Sequence, residues 1–151
     1  MRVTAKVDYA VRALVELAAA DGATVKGDRI AEAQQMPLKF LENILAELRR
    51  AGIVGSQRGS EGGYRLVKPA DNVSVADVIR AVEGPLADVH GTPPEELEPP
   101  GRAAPVREVW LATRAALRSV LEEVTIGQIA RNELPPVVAA MLAAPGAWAR
   151  R

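Results

Sequence analysis

The apolar positions of this 151-residue chain fall into short runs of helical period, broken by glycine and proline. Val7, Ala10, Val11, Leu14, Leu17 and Ala18 recur at three- and four-residue intervals. They predict a first helix from Thr4 to Ala20, stopped by Asp21-Gly22. A short second helix is expected from Asp28, read as its N-cap, with Ile30, Ala31 and Ala33 on it. Gln35-Met36 reads as a turn. Pro37 then opens a third helix, where its missing N–H costs little. That helix has one apolar stripe, Leu41, Ile44, Leu45 and Leu48, and Gly52 ends it. Its opposite side carries Lys39, Glu42, Asn43 and Glu47. Two helices joined by so short a turn fit a helix-turn-helix.

Past Gly52 the pattern shortens. Ile53–Gln57 and Tyr64–Val67 read as strands around a loop of Arg58, Gly59, Ser60, Glu61, Gly62 and Gly63. A helix followed by a glycine-rich hairpin with arginine at its tip is the arrangement of a winged helix on DNA. The helix enters a major groove, and the wing reaches a backbone or minor groove.

Beyond a connector at Pro69–Val73, Ser74-Val75-Ala76-Asp77 forms a capping-box start. The helix it opens has Val75, Val78, Ile79 and Val82 on its inner face and ends at Gly84-Pro85. Six of the eleven prolines lie in residues 85–105, which predicts an irregular, acidic loop. A long helix follows from Pro105 to Val124. Its stripe of Val106, Val109, Trp110, Thr113, Leu117, Val120, Leu121 and Val124 approaches a heptad seam. Such a stripe needs a partner, either the domain body or the same helix of a second chain. Thr125 and Gln128 form another capping box, opening a short helix with Ile126 and Ile129. Pro135 starts a final apolar helix, Val137–Leu142, and the tail Ala147–Arg151 is expected to fray.

The expected fold is mainly α with a small β-hairpin wing. A winged helix-turn-helix occupies 1–84, a Pro-rich loop 85–105, a dimerisation helix and short following helix 106–134, and a C-terminal tail 135–151.

Composition narrows the function. Hydrophobic content is 48% and charged content 25%, ordinary for a globular chain, while aromatics are only 3%, so the core must be aliphatic. No apolar run nears the roughly 20 residues that cross a bilayer. No signal-peptide core follows the N-terminus, so a cytoplasmic protein is expected. Cysteine is absent, which removes disulfides and thiolate metal sites. One histidine, His90, cannot form a histidine metal site alone, and it reads as an exposed loop residue. No phosphate-binding glycine loop, metal cluster or nucleophile–base pair is visible, which argues against an enzyme. Net charge is zero, but residues 1–69 carry 11 Lys/Arg against 8 Asp/Glu, and residues 70–151 carry the reverse. Positive charge thus gathers around the helix and wing.

Three segments carry a family resemblance: MRVTAKVDYAVRALVELA, LKFLENILAELRRAGIVGSQRGSEGGYRLVKPA and VREVWLATRAALRSVLEEVTIGQI. In this order, over about residues 1–134, they resemble the Rrf-two family of bacterial winged-helix repressors. The RGxxGGY wing after an LxxLRxAG helix is the more specific part. The resemblance implies a homodimer whose long helices cross, presenting two recognition helices to a pseudo-palindromic site on double-stranded DNA. It places DNA contacts on Lys39, Glu42 and Asn43, with Phe40 beside the sugar-phosphate backbone. Arg58 enters the minor groove, and Gly59 allows close backbone approach. Arg65 and Lys68 are candidates for phosphate contact, whereas Arg49 and Arg50 read as helix-end dipole partners.

Many members of the family hold an iron–sulfur cluster through three cysteines in the loop before the long helix. The corresponding loop here has none. Asp8 and Arg107 stand where other branches supply cluster ligands, so no cofactor or metal is expected. Lys39 replaces a common small hydroxyl residue, and Ser60-Glu61 replaces the usual Pro-Gly of the wing. A regulatory signal would then come from a small molecule near the 85–105 loop and long helix, from a protein partner, or from abundance alone. Tyr9 is a candidate lining residue for a pocket between the winged helix and long helix. The alternative to a dimeric DNA-binding regulator is a winged-helix module that binds protein without reading DNA sequence.

Overall fold

The computed structural model describes residues 2–149; Met1, Arg150 and Arg151 fall outside it, and with the latter two the end of the expected frayed tail. The first helix, α1 (Ala5–Ala19), starts at Thr4, whose hydroxyl accepts from the Val7 amide at 3.2 Å. It buries Val7, Ala10, Leu14 and Leu17 of the stripe read from the sequence together with Ala13, which that stripe lacked, while Val11 and Ala18 are half-buried against the same core. α2 (Gly27–Gln34) begins one residue before the expected cap. Lys26 is the N-cap and offers no side-chain acceptor, while Asp28 lies in the first turn and accepts from the Arg29 amide at 2.8 Å. A carboxylate there still faces the positive helix end, so Asp28 favours the start without capping it. Gln35 closes α2 in the left-handed region (φ 52°), giving the tight turn into α3 (Leu38–Arg50). Pro37 is that helix's N-cap rather than its first residue.

α3 presents Leu41, Ile44, Leu45 and Leu48 fully buried against α1 and α4. Burying a leucine or isoleucine side chain contributes roughly 1.5–3 kcal/mol, so this stripe fixes the helix's rotation about its axis. Gly52 takes φ 71°, the left-handed conformation that ends the helix without Cβ strain.

The hairpin consists of β1 (Val54–Gln57) and β2 (Gly63–Leu66), antiparallel, with Val54 opposite Leu66 and Gln57 opposite Gly63. Val25, from the α1–α2 connector, adds a third edge by exchanging two 2.8 Å backbone hydrogen bonds with Tyr64. Gly63 permits this, because a Cβ there would sit 2.6 Å from the Val25 carbonyl oxygen.

α4 (Val75–Val82) opens with the expected complete capping box of Ser74 and Asp77. The Pro-rich segment is less irregular than expected. It contains 3-10 turns at Pro94–Glu96 and Gly101–Ala103, and it buries Leu86 and Pro94. Proline needs no amide partner in the first position of such a turn, which is why Pro94 is tolerated there.

α5 (Val106–Leu121) has no buried residue, although Leu121 packs on the core cluster. Val124 lies beyond the helix and is only 6% exposed within its own chain. Its carbonyl accepts from the Val75 amide at 2.9 Å. Val124 therefore leaves the apolar face assigned to a second chain. The chain then returns to the core as α6 (Ile126–Arg131), whose Ile126 is fully buried in the same cluster as Leu14 and Ile44. α7 (Pro136–Leu142) packs on α5, and residues 143–148 form turns, with the Trp148 indole donating to the Leu142 carbonyl.

Candidate nucleic-acid interface

With its apolar stripe committed inward, α3 turns Lys39, Glu42 and Asn43 to solvent. Lys39 is 88% exposed at its side chain, and its Nζ lies 3.7 Å from the Glu42 carboxylate. An exposed pair at that distance contributes little to stability, so both groups remain free to exchange partners. Glu47, on the edge of the same helix, is bound at 2.7 Å to Lys6 of α1 and is removed from that polar face.

Phe40 sits on the flank of α3, 37% exposed, with its ring edge-to-face on Tyr9 at 5.7 Å. Arg12 lies over the other aromatic partner, 5.4 Å from the Tyr9 ring centre. This is where the structure departs from the expected role of Tyr9. It is not among the residues lining the cavity beside the long helix and braces Phe40 instead. The Arg12 guanidinium also binds Asp8 at 3.0 Å and the Gln34 side chain at 3.0 Å, and it donates to the Gln34 carbonyl. Gln34 in turn donates to Glu16. This network fastens the end of α2 to α1 and so sets the helix-turn-helix angle. Apart from the Asp8–Arg12 pair at helical spacing, the network is not legible in the sequence, because its members lie 18 to 22 positions apart on polar helix faces. Asp8, noted for its position near the N-terminus, serves here.

The wing tip is organised from within. The Gly62 amide donates to the Gly59 carbonyl at 3.0 Å, and Gly59 takes φ 107°. Gly62 is buried, and a Cβ on it would collide with the Gln57 carbonyl. Thr24 donates from its hydroxyl to the Glu61 carbonyl at 2.9 Å, which ties the tip to the α1–α2 connector. Arg58 and Arg65 are exposed, and among the described residues neither they nor Arg50 and Lys68 make an ion pair. Arg65 alternates with Tyr64 and Leu66 along β2 and so faces away from the core. Arg49 has a different task. Its guanidinium donates to the Ser56 hydroxyl at 3.0 Å, linking the end of α3 to β1. Reading helix and wing are thereby held as one unit, with uncommitted cations on its outside.

On α5, Val106, Val109 and Trp110 are exposed, 38%, 55% and 39% respectively. Thr113 is exposed, and Leu117, Val120 and Leu121 are half-buried. The seam read from the sequence thus divides. Its N-terminal half is open, while its C-terminal half turns toward the protein's own core.

The loop before α5 does not fit an iron–sulfur cluster. The chain has no cysteine, and among the described residues no group of three His, Cys, Asp or Glu side chains could hold a metal ion. Arg107 donates to the Glu95 carbonyl at 2.9 Å, and Arg114 binds the Glu95 carboxylate at 2.6 Å. Glu95's own backbone amide and Arg114 hold its carboxyl below the usual carboxylate range. His90 is exposed in the loop, as expected, and also lines a cavity beside α5.

Comparison with known proteins places this architecture. The profile of the Rrf2 family, described as iron-dependent transcriptional regulator, matches residues 3–132. A protein of Mycobacterium tuberculosis H37Rv named as an HTH-type transcriptional regulator is 48% identical over 140 residues, 92% of this chain and 87% of that one. The structure of CymR, the global cysteine regulator of B. subtilis, superposes with a TM-score of 0.73 at 32% identity, covering 87% of this chain and 98% of CymR. T. potens IscR gives 0.69 at 30% identity, covering 87% and 88%. The proteins it resembles are transcriptional regulators rather than enzymes, and no described helix is long and apolar enough to cross a membrane. On its sequence, its helix-and-wing reader and these likenesses, the chain belongs to the Rrf2 family of transcriptional regulators, as a member without cysteine.

Proposed function

We propose that the protein is a homodimeric repressor that reads a pseudo-palindromic operator in the cytoplasm. The observation that carries this is the outer surface of the reader: Lys39, Glu42 and Asn43 exposed on one helix face, next in the chain to a wing whose Arg58 and Arg65 make no ion pair among the described residues. Lys39 suits a phosphate or guanine edge, Glu42 the exocyclic amine of cytosine, and Asn43 an adenine edge. Arg58, on a glycine-hinged tip, suits a minor groove. Arg65 and Phe40 would meet the backbone. The open half of the α5 seam, Val106, Val109 and Trp110, is the surface a second copy would cover, bringing two readers about one DNA turn apart. Signal would arrive as a small molecule or a protein partner.

Selection of genomic fragments by the purified protein, followed by footprinting, tests this directly. Enrichment of one palindrome with half-sites a turn apart is the expected result. Binding without sequence preference at moderate salt would leave the wing to a protein partner instead. A steep fall of affinity with salt accompanies the expected outcome, because phosphate neutralisation releases counterions.

A further inference from the structure

The wing tip is rich in glycine, which on its own would leave it loose. Gly59 and Gly62 lie within residues 58–62, and Gly63 opens β2. Glycine loses more backbone freedom on ordering than any other residue, so a tip built from it samples many directions unless something holds it. The bond from the Gly62 amide to the Gly59 carbonyl fixes the shape of the tip but not its direction. Direction comes from outside the hairpin. The Thr24 hydroxyl donates to the Glu61 carbonyl at 2.9 Å, and among the described residues this is the one side-chain hydrogen bond that reaches residues 58–62.

Thr24 stands at a junction. Val25, next in the chain, exchanges its two 2.8 Å backbone bonds with Tyr64, and Lys26 after it is the N-cap of α2. Three consecutive residues therefore hold the wing tip, the wing base and the start of α2. The far end of α2 is clamped in turn, because Gln34 is bound by Arg12 of α1. The tip thus takes its direction from the helix-turn-helix rather than from the two strands that carry it. In this position Arg58 and Glu61 are both exposed, and they make no ion pair with each other among the described residues.

From this geometry we infer that Thr24 is a positioning residue for DNA binding, whose hydroxyl aims the wing tip so that Arg58 meets the groove at a set offset from α3. It acts through Arg58 and not by touching DNA itself. The gain is preorganisation. A tip already ordered in the free protein has less conformational entropy to lose on binding. The Thr24 bond is exposed, and an exposed neutral hydrogen bond adds little to the stability of a fold. The ladder at Val25 and the buried α3 stripe hold the domain together without it. The inference deepens the proposed reading of DNA and rests on Arg58 serving the groove.

The test uses the full chain with Thr24→Val, which keeps the side-chain shape and loses the donor, and with Thr24→Ser, which keeps the donor. Each is titrated against the genomic duplex that the wild-type protein enriches, alone and combined with Arg58→Ala. Thr24→Val should bind about fivefold more weakly, the scale of one modest hydrogen bond. Thr24→Ser should bind as wild type, and thermal midpoints should stay close together. Once residue 58 is alanine, Thr24→Val should cost nothing further, a coupling that a merely structural role would not produce. Without DNA, trypsin should cut after Arg58 several times faster in Thr24→Val than in Thr24→Ser. Wild-type affinity in Thr24→Val, an equal loss in Thr24→Ser, or the full loss repeated beside Arg58→Ala would overturn the inference and leave the DNA reading standing. No enriched duplex, or wild-type binding by Arg58→Ala, would instead remove the wing reading and this inference together.

Discussion

Ser74 and Thr125, the N-caps of α4 and α6, lie side by side in an antiparallel bridge, and each closes a complete capping box. The Val75 amide donates to the Val124 carbonyl and the Ile126 amide to Val73, so the two helices start from one shared knot. Residues separated by the entire Pro-rich loop and long helix are thus part of a single cooperative unit. Thr125→Ala should cost about 1 kcal/mol through its lost cap. Ile126→Ala should cost about 2–5 kcal/mol through the cavity it leaves. Denaturant midpoints check both. Coincident transitions by Trp emission and helical signal are expected, and two separated transitions would show that α6 is not part of the reader's core.

Arg131 grips Asp71 with two hydrogen bonds, at 2.8 and 3.2 Å. The Arg131 hydrogen bond holds the Asp71 carboxyl below its ordinary 3.8, and the same contact raises the arginine. A carboxyl lowered on folding adds stability above its unfolded value and loses it as pH falls through the folded one. Stability should therefore fall as pH drops below about 3.8. Asp71→Asn should flatten that part of the acid-unfolding curve. Gly127→Ala should flatten it too, because a Cβ there collides with the Asp71 carboxylate and crowds the Arg131 guanidinium. Urea titrations from pH 5 to pH 2.5 measure the slope, and an unchanged slope in both variants would show that the pair is idle.

Arg58→Ala should weaken operator binding by about 1–3 kcal/mol, with thermal stability unchanged, because the side chain is exposed and makes no ion pair among the described residues. Anisotropy titrations at several salt concentrations separate the outcomes. A smaller salt slope assigns Arg58 to phosphates. An altered sequence preference at a constant slope assigns it to the groove.

Glu42→Gln should change the preferred base at one position in each half-site and leave folding intact, since its contact with Lys39 is exposed and 3.7 Å long. Selection from a randomised operator library reads the change directly. Identical logos for both proteins would leave Glu42 as a companion of Lys39 and nothing more.

Much of the fold was legible because its core is aliphatic and periodic. The stripe Leu41, Ile44, Leu45 and Leu48 admits only one helix face, and Ser74 and Thr125 announce their helices through capping chemistry. What stayed hidden was set by distant partners. Lys26 caps α2 in place of Asp28, because the Val25–Tyr64 bridge fixes the chain just before it. Arg12 and Gln34 brace the helix-turn-helix through spacing that no local pattern reveals. Val124 continues the seam's periodicity perfectly well, yet the chain leaves the helix after Leu121 and folds that valine inward. In the candidate interface, residue types and order were readable, while the Tyr9–Phe40 contact and the cavity at His90 needed three dimensions.

The long helix is fastened along its length rather than at a single point. Arg107 near its start and Arg114 at its middle grip Glu95 of the preceding loop, beside buried Pro94, and past its end Val124 and Ile126 are laced to Val75 and Val73. A strut secured in this way cannot swing away like a free arm. The motion left to it is rolling about its own length, and any message that it carries is therefore a small rotation delivered to the knot at Val124.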